Sequence, residues 1–353
     1  MTTLDFNTIS KDSLNEFLHC HENYPDELKS VFNYLKSRFD ENLSFITSKT
    51  SGSTGKPKPI QIQKKHLAES ARKTNEFFGI NAESNLLLCL SPDFIAGKMM
   101  IERAILAKSK LTIVPPSLNP LLNINTEFKI DFAAFTPAQA FEMIQNIQTA
   151  KTFKKINNVI IGGGIVSEKL EEIFIHQSNN IYITFGMTET ISHFAIRKVG
   201  NPHYGAISPA VKISVSESGQ MVVDIPYLGI HSLITNDIIK LVDQNTFQWL
   251  GRADFVINSG GIKLHPEQIE QKIEKYYIKD GSPFFVFGQP DEKFGQVVGL
   301  VLENQSKLLD INTNSWTKLG QYEMPKRLYF VDKITKTPTG KINRNETLKK
   351  LNT

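Results

Sequence analysis

The sequence predicts an α/β protein: a large domain on a largely parallel sheet with a β-rich part, then a small, mobile α+β domain. Three observations carry this. Between about residues 43 and 186 short apolar runs alternate with stretches of helical periodicity, the pattern of a parallel sheet with crossover helices. From about residue 204 the rhythm changes to strands and tight turns. Past Gly251-Arg252 one amphipathic helix stands among strands, so the chain is expected to divide into domains at 1–250 and 251–353, as suits its 353 residues.

Taken in order, the first forty or so residues read as two helices separated by Pro25. Leu14, Phe17 and Leu18 share one apolar spacing, and Leu28, Val31, Phe32 and Leu35 another. "LSFIT" and "PIQIQ" read as strands, and Lys64–Phe78 as a helix. The strands "NLLLCLSP", "KLTIVPP", "DFAAFT", "NNVII" and "IYITF" follow, with helices over Lys98–Lys108, Pro137–Asn146 and Ser167–His176. "AVKISVSESGQMVVDIP" is a hairpin turning at Ser216–Gln220, and "SLITNDIIKLVDQNTFQWLGR" continues the β structure. "LHPEQIEQKIEKYY" is a helix opened by Pro266, "PFFVFG" and "VVGLVLE" are strands, and the tail is loop-rich.

Composition narrows the function classes. Hydrophobic residues make up 40% and charged residues 22%, the mix of an ordinary globular protein. No apolar stretch approaches the ~20 residues of a membrane span, and the charged start "MTTLDFNTISKDSLNEF" has no signal-peptide core. Cys20 and Cys89 can build neither a disulfide framework nor a metal site, so the cytoplasm is the expected location. Net charge is +4, but the stretch from Pro325 onward carries +6, leaving the rest at −2. That tail lacks repeated aromatics and a recognition-helix pattern, so no nucleic-acid partner is expected; an anionic small ligand or a solvated surface accounts for the charge as well. A homo-oligomer is not excluded.

"TSKTSGSTGKPKP" (Thr47–Pro59) packs eight Ser, Thr or Gly and three lysines into thirteen residues between two strands. Such a loop turns backbone N–H groups and hydroxyls toward a polyphosphate. It is not a Walker A loop: Gly52 and Gly55 are three apart, and Pro57 follows Lys56 where a helix would begin. Its order, "TSGSTGKPKPI", resembles the phosphate loop of the adenylate-forming superfamily, which includes acyl-CoA synthetases, luciferases and peptide-synthetase adenylation domains. The departure is Pro59, where the family has Gly.

Five further stretches resemble the family's motifs in the family's order. "IIGGGIVSEKL" (Ile160–Leu170) looks like the glycine turn along the adenine and acyl pocket; "FGMTET" (Phe185–Thr190) looks like its Y-G-x-T-E motif. "LITND" (Leu233–Asp237) corresponds to x-T-G-D, with Asn236 for Gly. "GRADFVINSGGIKLHPEQIE" (Gly251–Glu270) departs only at Leu264 and Gln268, and "KTPTGKINR" (Lys336–Arg344) matches the motif of the mobile lysine. The resemblance implies an adenylation domain over 1–250 and a lid domain over 251–353. It implies ATP on Thr50, Ser51, Gly52, Ser53, Thr54, Gly55 and Lys58, with Gly162, Gly163 and Gly164 beside the adenine and Asp237 and Arg252 on the ribose. Thr188 would meet the α-phosphate, Glu189 the Mg²⁺ that accompanies ATP, and Gly186 the substrate. Lys341 would be the catalytic cation and Asp254 the hinge. A lysine suits that role because a carboxylate attacking an α-phosphate brings two anions together.

Only 49 residues precede Thr50, where the family carries a much longer region, so most of one N-terminal subdomain is expected to be missing. Short chains of this kind resemble the compact o-succinylbenzoate–CoA ligases of menaquinone synthesis, which implies ATP, CoA and a keto-diacid as substrates. Arg103, alone among Met99, Met100, Ile101, Ala104, Ile105 and Leu106, is the candidate for the second carboxylate if it is buried; the solvent side is the other placement. Ser91 and Phe94 replace the family's Pro and His ahead of Gly97. Other expectations stay open: another acyl or aryl CoA ligase, an enzyme loading a carrier protein, or a nucleotide-binding protein without turnover.

Overall fold

The computed structural model describes residues 2–8, 26–49, 59–122, 124–278, 282–303, 316–337 and 341–351. The phosphate-loop residues Thr50, Ser51, Gly52, Ser53, Thr54, Gly55 and Lys58 lie outside them.

The first half is a doubly covered sheet. Strand β1 (Thr2–Asp5) and helix α1 (Asp26–Phe39) precede a hairpin of β2 (Phe45–Lys49) and β3 (Pro59–Gln63). Next come α2 (Lys64–Phe78), β4 (Asn85–Leu88), α3 (Ile95–Ala107), β5 (Lys110–Ile113), β6 (Phe132–Phe135), α4 (Pro137–Gln145), α5 (Ile147–Lys155), β7 (Asn158–Ile161), α6 (Glu168–Ile175) and β8 (Asn180–Gly186). Strands β5, β4, β6, β7 and β8 are parallel neighbours in that spatial order, and β1 adds an antiparallel edge to β5. Their near-continuous apolar runs, such as the fully buried "FAAF" of β6, fit strands covered on both faces. Helices α1, α2 and α3 cover one face, where Leu35, Leu67, Met99 and Ile101 pack with Phe132. Helices α4, α5 and α6 cover the other through Met143, Phe153 and Phe174.

Local chemistry sets the helix ends. Gly79, at φ +65°, ends α2 in the left-handed conformation that suits glycine. Thr136 and Gln139 form a reciprocal capping box with Pro137 at the first turn of α4. The Asn146 side chain caps α5, a helix the sequence reading did not identify.

The sheet then changes character without breaking. Strands β9 (His193–Lys198), β10 (Tyr204–Ala206), β11 (Lys212–Val215), β12 (Gln220–Ile225), β13 (Ile230–Leu241) and β14 (Thr246–Arg252) extend it antiparallel. The result is a 12-stranded order, β1-β5-β4-β6-β7-β8-β9-β10-β14-β13-β12-β11, among the described residues. Its last paired position toward the C-terminus is Arg252, opposite Asp237.

A second sheet begins at β15 (Ile257–Ser259) and holds β16 (Ile262–Leu264), β17 (Phe284–Asp291), β18 (Gly295–Glu303) and β19 (Arg327–Val331), with helices α7 (Pro266–Tyr276) and α8 (Arg344–Leu351). Its residues alternate between faces. Val286, Val298 and Leu300 pack on Ile269 and Ile273 of α7, whereas Phe285 and Val301 pack with Leu348 and Leu351 of α8. Three readings of the sequence change. Residues 2–5 are a strand held by β5, not part of a helix, and the tail contains both a strand and a helix. The large sheet is parallel only in its first half. Among the described residues, no helix is long and apolar enough to cross a membrane.

Candidate active site

Two of the motif stretches stand at the carboxyl ends of parallel strands, where open α/β sheets bind ligands. Gly162, Gly163 and Gly164 follow β7, and Gly186 to Thr190 follow β8. Gly162 has no room for a side chain: a Cβ there would meet Thr184 Oγ1 at 2.3 Å. Gly186 lies opposite His193 at a break in the β8–β9 register, and a Cβ on it would strike the backbone of Ser192 and His193 at 2.3–2.8 Å. Thr188 is buried and Glu189 is exposed. The turn between them and β9 is braced by Thr190, whose hydroxyl receives Met187 N–H at 2.9 Å and lies 2.9 Å from Ser192 O. That turn forces Ile191 to φ +68°, a strained conformation for a β-branched residue that costs on the order of 1–3 kcal/mol.

On the acyl side, α3 starts beneath the Leu90–Phe94 segment. A Cβ on Gly97 would meet Ser91 O at 2.4 Å, so this crossing requires glycine. The end of the β2–β3 hairpin reaches the same place: Lys49 forms a bridge with Phe94, and Lys49 pairs with Pro59. Both flanks of residues 50–58 are thereby fixed beside the start of α3.

Arg103 is buried, 2% exposed, which removes the solvent-side placement. Its Nη2 donates to Ser192 Oγ at 3.4 Å, and its guanidinium lies 5.7 Å from the centroid of Phe132. Its Nε has no hydrogen-bond partner among the described residues, and burial pulls its pKa down to about 9. The adjacent Glu102 does not neutralise it. That carboxylate is committed to α1, accepting from Tyr34 Oη at 2.5 Å and Arg38 Nε at 2.6 Å. One residue after Gly97, buried Lys98 donates to Pro92 O and is held at a pKa of about 8 by burial.

At the other end of the large sheet, β13 and β14 place Asp237 opposite Arg252. Asp237 is buried; its Oδ1 accepts from Trp249 Nε1 at 3.0 Å, and its Oδ2 lies 3.9 Å from Arg252 Nη1. Burial raises its pKa, opposed by Trp249 and Arg252. Arg252 also donates to Asp254 Oδ2 at 2.8 Å, and Asn236 reaches the same oxygen at 3.4 Å.

Lys341 comes from the second sheet to this side. Residues 336 and 342 bridge around it, and its N–H donates to Thr337 Oγ1 at 3.1 Å. Burial and Arg252 lower its pKa while Asp237 raises it. Arg344 secures the same segment by donating to Val286 O at 2.7 Å and Glu270 at 2.9 Å, stacked 4.4 Å from Phe255. The two parts touch elsewhere through Lys275–Glu168 at 2.8 Å and through Glu267, whose Oε2 would lie 2.4 Å from a Cβ on Gly251.

Trp249, Ser192, His193 and Thr74 complete the site and were not identified from sequence. None stands in a motif that distinguishes it; Trp249 could have been found by pairing "QW" with "ND" across a hairpin.

The family model for AMP-binding enzymes matches residues 40–226, over half of the chain. The chain belongs to the AMP-binding enzyme family. The 2-succinylbenzoate–CoA ligase of Lactococcus lactis is 25% identical over 330 residues, covering 87% of this chain and 71% of the relative. That of Staphylococcus aureus strain MW2 is 26% identical over 366 residues, 96% and 72% of the two chains. Among solved structures, an AMP-forming acyl-CoA synthetase/AMP-acid ligase II-like protein from Dyadobacter fermentans is 30% identical, with 99% of both chains covered and a TM-score of 0.64. The o-succinylbenzoate CoA synthetase of Bacillus subtilis with its acyl-adenylate intermediate matches at 19% identity and TM-score 0.72, covering 85% and 68%, a likeness of fold.

Proposed function

We propose that this AMP-binding enzyme is an AMP-forming acid–CoA ligase that joins o-succinylbenzoate to CoA through an acyl-adenylate, a step of menaquinone biosynthesis. The observation that carries the substrate is Arg103: a buried guanidinium with no carboxylate partner among the described residues. A second carboxylate on the acid would supply that partner. A bidentate Arg–carboxylate pair then selects a diacid over a fatty acid of similar bulk. The relatives named 2-succinylbenzoate–CoA ligase support the same acid.

In this reading ATP lies with its phosphates on residues 50–58 and its adenine along Gly162–Gly164. Asp237 accepts from the two ribose hydroxyls, for which its paired oxygens suit, and Trp249 and Arg252 hold that carboxylate in place. Thr188 and Glu189 face the α-phosphate from the end of β8, with the substrate passing Gly186. An exposed carboxylate beside a phosphate site fits Mg²⁺, which prefers such oxygens. When bound with ATP, that ion neutralises phosphate charge.

The aliphatic carboxylate attacks the α-phosphorus, the bond to the bridging oxygen breaks, and pyrophosphate leaves. Lys341, whose charge responds to Asp237 and Arg252, stabilises the charge gathered between the two anions. The lid then turns about Asp254, withdrawing Lys341, and the CoA thiol displaces AMP from the acyl carbon. The Asn236–Asp254 and Arg252–Asp254 contacts are those such a turn would break.

Pyrophosphate release is measured with ATP, Mg²⁺ and o-succinylbenzoate, with and without CoA, beside benzoates and fatty acids. Release selective for o-succinylbenzoate, with a thioester formed, is expected. Release selective for another acid overturns the substrate, and silence across all of them overturns the reaction.

A further inference from the structure

Behind Arg103 runs a chain of hydrogen bonds with a single consistent direction. Arg103 Nη2 donates to Ser192 Oγ at 3.4 Å; Ser192 Oγ lies 3.3 Å from His193 Nδ1. His193 Nε2 lies 3.3 Å from Thr74 Oγ1, which donates to Ser70 O at 3.2 Å. A hydroxyl has one proton, and that of Thr74 is spent on the Ser70 carbonyl. With its proton given to Ser70 O, Thr74 accepts from the ring, an arrangement that puts the imidazole proton on Nε2. A neutral ring with its proton there has a bare Nδ1, and Nδ1 takes the Ser192 proton. The Ser192 oxygen is left with lone pairs alone toward Arg103. Burial and the neighbouring Arg103 charge both keep His193 neutral, as this order requires.

The backbone is built to hold this arrangement. Ile191 adopts its strained φ of +68° immediately before Ser192, and Gly186 admits the Ser192–His193 backbone where any Cβ would collide. Strain held next to a functional side chain commonly marks preorganisation, and here it turns Ser192 toward α3.

We propose that His193, backed by Thr74, is a positioning residue that makes Ser192 a pure acceptor and so fixes the guanidinium of Arg103 for the distal anionic group of the acid. One amino group of Arg103 is tied to Ser192, and its buried Nε is left without a partner among the described residues, which a ligand carboxylate would supply. Without the ring acceptor, the Ser192 hydroxyl can rotate and donate, either to the ligand or to nearby carbonyls, and the guanidinium loses its tether. The inference rests on the dicarboxylate reading of the Arg103 site and adds the residues that tune it.

The test compares kcat and KM for o-succinylbenzoate and for a monocarboxylate analogue lacking the ring carboxylate, in wild type, H193L, H193Q and T74V. ATP binding serves as the check on folding. H193L is expected to raise KM for the diacid so that its kcat/KM falls at least tenfold further than that of the monoacid. H193Q, whose amide can still accept and donate, recovers most of that gap. T74V, which keeps the ring but removes its anchor, shows a gap of about threefold, and it stands in should H193L not fold. Equal losses for the two acids, or an unchanged ratio in every variant, overturn the role of His193 while leaving the substrate reading intact. A wild type with no preference for the diacid overturns both.

Discussion

Two arginines flank the site, and their surroundings are opposite. Arg252 stands between Asp237 and Asp254, at 3.9 and 2.8 Å, half-exposed and with its charge offset by the protein itself. Arg103 is 2% exposed, bonded to one serine hydroxyl, and sees its adjacent Glu102 drawn off by Tyr34 and Arg38. The first arrangement suits a ligand portion that brings hydroxyls, because the carboxylate it steadies is the group that binds. The second suits a ligand portion that brings a negative charge, because an uncompensated buried cation is expensive until its partner arrives. The contrast separates the proposed nucleotide contacts from the proposed contact to the acid.

The largest effect is expected on the nucleotide side. Lys341→Ala should cut adenylate formation by roughly 100–1,000-fold while ATP still binds, since a preorganised cation at developing charge is worth about that much. A loss of ATP binding of the same size would place Lys341 with the ribose contacts instead. Asp237→Asn keeps the shape and one acceptor but gives up the charge. A rise in KM for ATP of roughly 10-fold or more is expected, as charge-assisted hydrogen bonds contribute about 1.5–3 kcal/mol, with the preference among acids unchanged. A shift in acid preference would join the two regions that the comparison separates.

A smaller effect concerns pH. In the proposed mechanism Lys341 acts protonated, and its pKa lies below the usual lysine value because of burial and Arg252. Adenylation should therefore decline as pH rises, at a lower pH than a free lysine would give. Because Asp237 opposes this shift, D237N should move that limb further down, and R252Q should move it up. Limbs that stay put in both variants would mean that Lys341 does not feel this pair.

The two regions also differ in how far the sequence revealed them. Asp237, Arg252 and Lys341 sit in stretches whose residue order repeats a family pattern, and the α/β alternation is carried by apolar runs that any parallel sheet needs. Arg103 was legible as an anomaly, a guanidinium on an apolar helix, though not its burial. The rest of the acid side was hidden because it depends on contacts between distant segments. Thr74 and His193 are 119 positions apart, and the α1 clamp on Glu102 spans 64 and 68. Strand β1 escaped because four residues show no periodicity, and they are a strand only because β5 offers them an edge. Helix α5 was missed because Asn146 both ends one helix and caps the next.

The most direct test of the account is the ratio of kcat/KM for o-succinylbenzoate to that for its analogue without the ring carboxylate, in wild type and in Arg103→Leu. A leucine fits the apolar neighbours on α3 and removes the unpaired charge together with the Ser192 contact. The account predicts a strong preference for the diacid in wild type that falls by roughly 100-fold or more in the variant, the scale of a lost charged pair at about 3 kcal/mol or more. A ratio that stays the same, with both acids slowed alike, would contradict it and make Arg103 a structural residue of α3.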